Sequence, residues 1–207
     1  MLEVIRYALG PIQTNTYLAY DSESKAGFLV DPGAYATAVT DKVKELGIDL
    51  QYIILTHGHF DHIAGIDQYK KDFPAVKIVA NPLEKDMLND GLLNSSIEMY
   101  GRPITTDADI WVRNRETMKL GTLDMTFFYT PGHSRGGMAI YIGGYCFSGD
   151  TLFRRSIGRS DFYGGDYRTM INSIKDVLFN LPDDTILLPG HMEPSTVGEE
   201  KRGNPFV

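Results

Sequence analysis

Apolar positions recur along this chain in two rhythms. Segments at 2–8, 15–20 and 26–30 read as short strands, the last running Phe28-Leu29-Val30 into an Asp31-Pro32-Gly33 turn. Ala36, Val39, Val43 and Leu46 then fall at near-helical spacing, with Gly47 where a C-terminal cap belongs. Tyr52-Ile53-Ile54-Leu55 reads as a buried strand, 63–73 as a helix and 77–80 as another strand. A further helix is expected with Pro82 at its first position and Leu83, Met87 and Leu88 turned inward. The stretch 91–109 has the weakest periodicity and is expected to be an irregular surface loop, a candidate lid. Strands return at 123–130, 138–142 and 145–148. Met170, Ile171, Ile174, Val177 and Leu178 then mark one buried helix face before a last strand at 185–188. Hairpins mixed with strand–helix–strand units predict an α/β (α+β) protein, with helices packed on sheets. No Ser- or Gly-rich linker interrupts the pattern, so 1–207 is read as a single domain.

The chemistry concentrates just after the predicted strands. Thr56-His57-Gly58-His59-Phe60-Asp61-His62 packs three histidines and a carboxylate into six residues. In extended chain, His57 and His59 share a face, while Asp61 and His62 follow where the chain turns into a helix. Imidazole and carboxylate suit zinc, iron or manganese, and a single cysteine, Cys146, excludes a thiolate-rich cluster within the chain. The other two histidines lie in similar settings, His133 in Thr130-Pro131-Gly132-His133 and His191 in Pro189-Gly190-His191; Ser148-Gly149-Asp150 closes a third strand. Either Gly-His pair alone reads as an ordinary loop histidine. With every histidine of the chain at a strand end, a shared metal centre is the better expectation.

These residues carry a family resemblance. The chain resembles the metallo-β-lactamase superfamily, and within it the short, single-domain glyoxalase II-like (hydroxyacylglutathione hydrolase-like) branch. The likeness extends from Asp31-Pro32-Gly33 through Ser148-Gly149-Asp150-Thr151-Leu152-Phe153 and the 158–166 stretch to Asn204-Pro205-Phe206. It implies an αββα sandwich, two mixed sheets flanked by helices. It implies two divalent metal ions, zinc first, with iron or manganese compatible. His57, His59 and His133 would hold one, Asp61, His62 and His191 the other, and Asp150 would bridge them, with Asp61 and Asp150 counted as catalytic. Arg159, in the place of a basic substrate-contacting residue, is a candidate for an anionic substrate group, with Tyr163 beside it; Arg154, Arg155 and Arg168 read as surface residues. The C-terminal helical region that supplies glutathione contacts in full-length relatives is not expected after His191.

The expected activity is hydrolysis of an acyl-thioester of the hydroxyacylglutathione or lactoylglutathione kind by a metal-bridging hydroxide. Two metals ~3.5–4 Å apart lower the pKa of a shared water toward ~7 and polarise the acyl oxygen. A thiolate departs without a strong protein acid, and no histidine is spare to act as one. Cys146 reads as strand core rather than as a nucleophile. Alternatives on the same ligands are a persulfide dioxygenase with one iron on His57, His133 and Asp150, or a lactone or other ester hydrolase. Zinc β-lactamases commonly place a cysteine at the position of Asp150, which argues against antibiotic hydrolysis as the native role. The net charge of −7 argues against a nucleic-acid partner and an anionic membrane surface. No apolar run is long enough to span a bilayer and no export signal opens the chain, so a cytoplasmic location is expected. Two divalent cations would nonetheless leave a locally positive centre, able to attract an anionic small molecule.

Overall fold

The computed structural model describes all residues, 1–207. Two six-stranded sheets face one another. The first takes β1 (Leu2–Leu9), β2 (Thr14–Asp21), β3 (Ala26–Val30), β4 (Asp49–Ile54), β5 (Lys77–Ala80) and β6 (Ile110–Trp111) in sequence order. The second has the order β14 (Ser195–Thr196), β13 (Ile186–Pro189), β10 (Tyr145–Gly149), β9 (Met138–Ile142), β8 (Leu123–Tyr129) and β7 (Thr117–Leu120). A small hairpin, β11 (Leu152–Phe153) with β12 (Ser156–Ile157), stands apart.

Period-two alternation explains the layering, because successive strand residues point to opposite faces. Tyr17, Ala19, Phe28, Val30, Ile54 and Val79 meet Phe127, Ile140, Phe147 and Leu188 between the sheets. Their neighbours Leu18, Leu29, Ile53 and Ile78 face outward onto α1 (Thr37–Leu46) and α3 (Ile66–Asp72), which contribute Val39, Val43, Ile66 and Tyr69. On the far side, Ala139, Cys146 and Leu187 are covered by Met170 and Ile174 of α6 (Tyr167–Asp176) and by Val197 at the start of α7 (Val197–Gly203). The result is the expected αββα sandwich. Phe147 ties the layers together, its ring edge-on to Tyr17 and Phe28 at 5.4 and 5.6 Å.

Several sequence expectations change in detail. The helix expected at 63–73 is two, α2 (Phe60–Ile63) and α3, broken at Gly65. There the chain packs against the Asp31-Pro32-Gly33 turn so closely that a Cβ on Gly65 would lie 2.6 Å from the Ala34 carbonyl carbon. The helix expected at Pro82 starts as a 3-10 turn, Pro82–Glu84, before α4 (Lys85–Asn89), and Leu83 points outward, 48% exposed. The stretch 91–109 contains α5 (Ser96–Tyr100) and is tied down by Phe60 donating to the Asn94 carbonyl and Thr106 to the Leu88 carbonyl. Lack of periodicity there reflects one short helix amid side-chain-stapled turns, not loose chain.

Asp21 joins the two sheets at the end away from the histidines. Its buried carboxylate accepts from the Thr122 backbone N–H (3.0 Å), the Thr122 hydroxyl (2.9 Å) and the Ser24 hydroxyl (2.8 Å). The bond from the Thr122 N–H is foremost in holding its pKa well below the usual carboxylate range. A depressed native pKa means the stabilisation is present above about pH 4 and is lost as pH falls toward the native value. D21N is therefore expected to melt several degrees below the wild type at pH 7, with the gap narrowing as pH is lowered to about 2.5. Melting curves across that range check the sign; a pH-independent gap would refute it.

Candidate metal centre

The strands β3, β4, β8, β10 and β13 all end at one edge of the sandwich, and each delivers a polar side chain there. After β4 come Thr56, His57 and His59, then Asp61 and His62 on α2; after β8 comes His133, after β10 Asp150, and after β13 His191. Six of the seven proposed ligands are buried, and the His191 side chain is 22% exposed.

Two triads form. His133 Nε2 lies 2.9 Å from His59 Nδ1 and 3.2 Å from His57 Nε2. Asp61 Oδ2 lies 3.1 Å from His62 Nε2 and 3.2 Å from His191 Nε2. The Asp150 carboxylate stands between them, Oδ1 at 3.5 Å from His62 Nε2 and Oδ2 at 3.6 Å from His133 Nε2 and 3.5 Å from His191 Nε2. Gly190 makes room for it: a Cβ there would collide with Asp150 Oδ1 and lie 2.7 Å from His62 Cε1.

The surrounding hydrogen bonds set which ring nitrogens are bare. His133 Nδ1–H donates to the Arg159 carbonyl at 2.7 Å, and His62 Nδ1–H to Asp31 Oδ2 at 2.8 Å. The Thr56 hydroxyl donates to Asp31 Oδ2 at 2.6 Å, so its oxygen accepts from His57 Nδ1–H at 3.1 Å. Each of these three rings thus has its Nδ1 proton held by a partner and turns its Nε2 toward the cluster. Thr14 donates to Asp61 Oδ2 at 2.7 Å, fixing that carboxylate as well.

Electrostatics divide the triads. Burial, reinforced by the neighbouring imidazoles, holds His57 well below the ordinary histidine range and His59 at about 3; burial lowers His133 too. These rings are neutral at pH 7, with His57 Nε2, His59 Nδ1 and His133 Nε2 converging on one locus. Burial would also lower His62, but Asp61, Asp150 and Asp31 outweigh it and raise its pKa well above the ordinary value; His191 is raised chiefly by its bond to Asp61, against its burial. Positive charge is demanded at this locus. His62 Nε2 and Asp150 Oδ1 are buried without a hydrogen-bond partner. Converging ring nitrogens, unpartnered buried atoms and a sulfur-free shell of nitrogen and oxygen are what a divalent cation satisfies. His57 with His59 and His133, and Asp61 with His62 and His191, each bring their atoms close enough to share one ion.

The family model described as the metallo-beta-lactamase superfamily matches residues 9–191. The chain belongs to this superfamily. Hydroxyacylglutathione hydrolase GloC of Haemophilus influenzae is 37% identical over 201 residues, covering 94% of this chain and 93% of its own. Among solved structures, the BLEG-1 B3 metallo-beta-lactamase superposes with a TM-score of 0.91 at 38% identity, covering 100% of this chain and 99% of its own. TTHA1623 in a di-iron-bound form superposes with a TM-score of 0.84 at 31% identity, covering 99% of this chain and 100% of its own. The chain is therefore a member of a metallo-hydrolase superfamily, with a His/Asp cluster that suits divalent metal.

Beside this superfamily cluster opens a cavity of about 260 Å³, walled by Ile12, Phe60, Phe153 and Phe162, with Ser95 and Arg159 at its margin. Arg159 thus reaches the cavity. Tyr163 does not: it is 38% exposed under the Arg135 guanidinium, and Phe162 faces the site instead, 5.0 Å from the His59 ring. Cys146 is buried in β10 with its thiol pushed up to about 12 by burial, in keeping with a packing role.

Three contributors lay beyond sequence reasoning. Asp31 was legible only as part of a turn, yet it orients two histidines, and its φ of 48° marks a backbone held in an unfavourable region. Buried Glu84 accepts from the Gly58 N–H (2.7 Å) and the Gly136 N–H (2.6 Å), bracing two of the histidine-bearing loops against each other. Asn15 donates to the Pro189 and Met192 carbonyls around His191.

Because Asp31 sets the proton position on both His62 and His57, Asp31→Ala is expected to weaken divalent-metal binding by about 10–100-fold. Competition with a chromophoric chelator measures this; unaltered affinity would reduce Asp31 to a packing residue.

Proposed function

We propose that the protein is a binuclear metal-dependent hydrolase of acyl-thioesters. The observation that carries the reading is the Asp150 carboxylate standing between two triads of buried donor atoms. In this reading His57, His59 and His133 would hold one cation, Asp61, His62 and His191 the other, and Asp150 would serve both. When bound, two such ions supply a hydroxide at neutral pH and polarise the acyl oxygen, and the donor set accommodates zinc, iron or manganese.

The chain's own residues account for the rest. Phe60, Phe153 and Phe162 wall the cavity with hydrocarbon and exclude bulk water from the acyl group. Asp150, buried between the triads with Oδ1 free of any hydrogen-bond partner, keeps its carboxylate charge at the reacting locus, and Asp61, fixed by Thr14, keeps its charge beside it. As the C–O bond forms and the C–S bond breaks, the electron pair leaves on sulfur. A thiol with a pKa of about 8.5 departs as its anion, whereas an amine requires a proton. All five histidines of the chain lie in the cluster, so none remains as a general acid for an amine. This supports a thioester substrate over an amide.

Similarity to the BLEG-1 protein favours β-lactam opening as a second reading. Metal analysis of purified protein, followed by assays with lactoylglutathione, a simple acyl-thioester, a cephalosporin and glutathione persulfide, separates the possibilities. Two metals per chain with thioester turnover are expected. A higher kcat/KM on the cephalosporin would select the second reading, and one iron with persulfide oxidation would overturn both. Asp150→Ala is expected to lower metal content and cut kcat by about 100-fold or more; full turnover by metal-depleted protein would refute the mechanism.

A further inference from the structure

Arg159 is the one basic side chain lining the cavity apart from the histidines of the cluster. An anionic substrate tail would need it, yet it is already engaged. Its Nε donates to Asp161 Oδ1 at 2.9 Å and its Nη2 to Asp161 Oδ2 at 2.8 Å, a bidentate fork. The guanidinium carbon also sits 4.2 Å from the centroid of the Phe162 ring. Two restraints therefore hold one orientation, and the carboxylate cancels the charge. Beyond the cluster, Ile12, Phe60, Phe153 and Phe162 give a departing group mostly hydrocarbon to lie against, with the uncharged Ser95 as the other polar side chain.

We propose that Asp161 is a specificity-determining residue: by occupying Arg159 it withholds the cavity's cation from anionic tails and leaves the mouth to an uncharged, largely apolar thiol carrier. This rests on the thioester reading above and narrows its substrate class. Both partners of the pair are 66% exposed, so the fork is screened and can be broken at modest cost. Asp161 thus biases the choice of carrier without making it absolute. Removing its charge should release Arg159 for a substrate carboxylate.

The test uses ligands that cannot be hydrolysed, so that it does not depend on the reaction. Kd values for S-butylglutathione and for the butyl thioether of N-acetylcysteamine, one anionic and one neutral, are measured by calorimetry on metal-loaded wild type and D161N. Wild type is expected to bind the neutral thioether at least as tightly as the anionic one. In D161N the ratio of the two Kd values should move about 3–10-fold toward the anionic ligand, and R159A in the same background should abolish that movement. The gain should also shrink in 0.5 M salt, which a merely structural effect would not reproduce. An unchanged ratio in D161N, a wild-type preference for S-butylglutathione, or no binding of either compound would each overturn the proposal. Failure of thioester turnover with the expected shift in Kd ratio would instead overturn only the hydrolase reading.

Discussion

Three imidazole nitrogens, from His57, His59 and His133, converge within 2.9 and 3.2 Å of one another. Two of them, His57 Nε2 and His133 Nε2, carry their protons on the far side of the ring and face each other as lone pairs, which repel unless positive charge lies between them. Beside them, Asp31, Asp61 and Asp150 crowd negative charge around His62. Such groups ordinarily lie in water, and here nearly all are buried. The sandwich concentrates this frustration at one edge, and divalent cations relieve both halves at once.

Holding that arrangement is the task of the fold. Donors from both sheets must meet within hydrogen-bond distance, so the sheets must end level and stay fixed. Phe147, wedged against Tyr17 and Phe28, fixes the spacing within the core. Nearer the site, polar staples take over. Asn15 of the first sheet grips the loop bearing His191, the Glu84 carboxylate draws the Gly58 and Gly136 loops together, and Asp31 reaches from β3 to the histidines after β4. Hydrocarbon packing gives the distance between sheets, and directional bonds give the angles of individual rings.

The cavity beside the cluster has a different character. Its walls are largely apolar and its arginine is paired with a neighbouring carboxylate, so under the proposed function a substrate would be held by the metal end and by hydrophobic contact. An acidic chain with a locally positive centre can attract an anion over distance, but the Arg159–Asp161 pair removes the second charge such an anion would seek. Net charge and local charge therefore carry separate information about the ligand.

Much of the architecture was legible in the sequence, because strand alternation and helix periodicity are local properties of a chain with one side chain per residue. The strands around Phe28-Leu29-Val30 and Leu187-Leu188, and the helix through Met170 and Ile174, follow from it directly. So does the nomination of His57, His59, Asp61, His62, His133, Asp150 and His191, since each stands just past an apolar run. The sequence could not tell that Asp31, within an apparent turn, orients two histidines, or that Glu84 is buried between loops, because both depend on partners more than twenty residues away. Nor could it choose Phe162 over Tyr163 for the cavity wall, or show Arg159 already paired. Those outcomes turn on backbone dihedrals in the 158–166 loop, where no periodic pattern dictates which way a side chain points. Local pattern determined which elements form and which residues stand at their ends; only packing of one sheet on the other decided which of those ends meet.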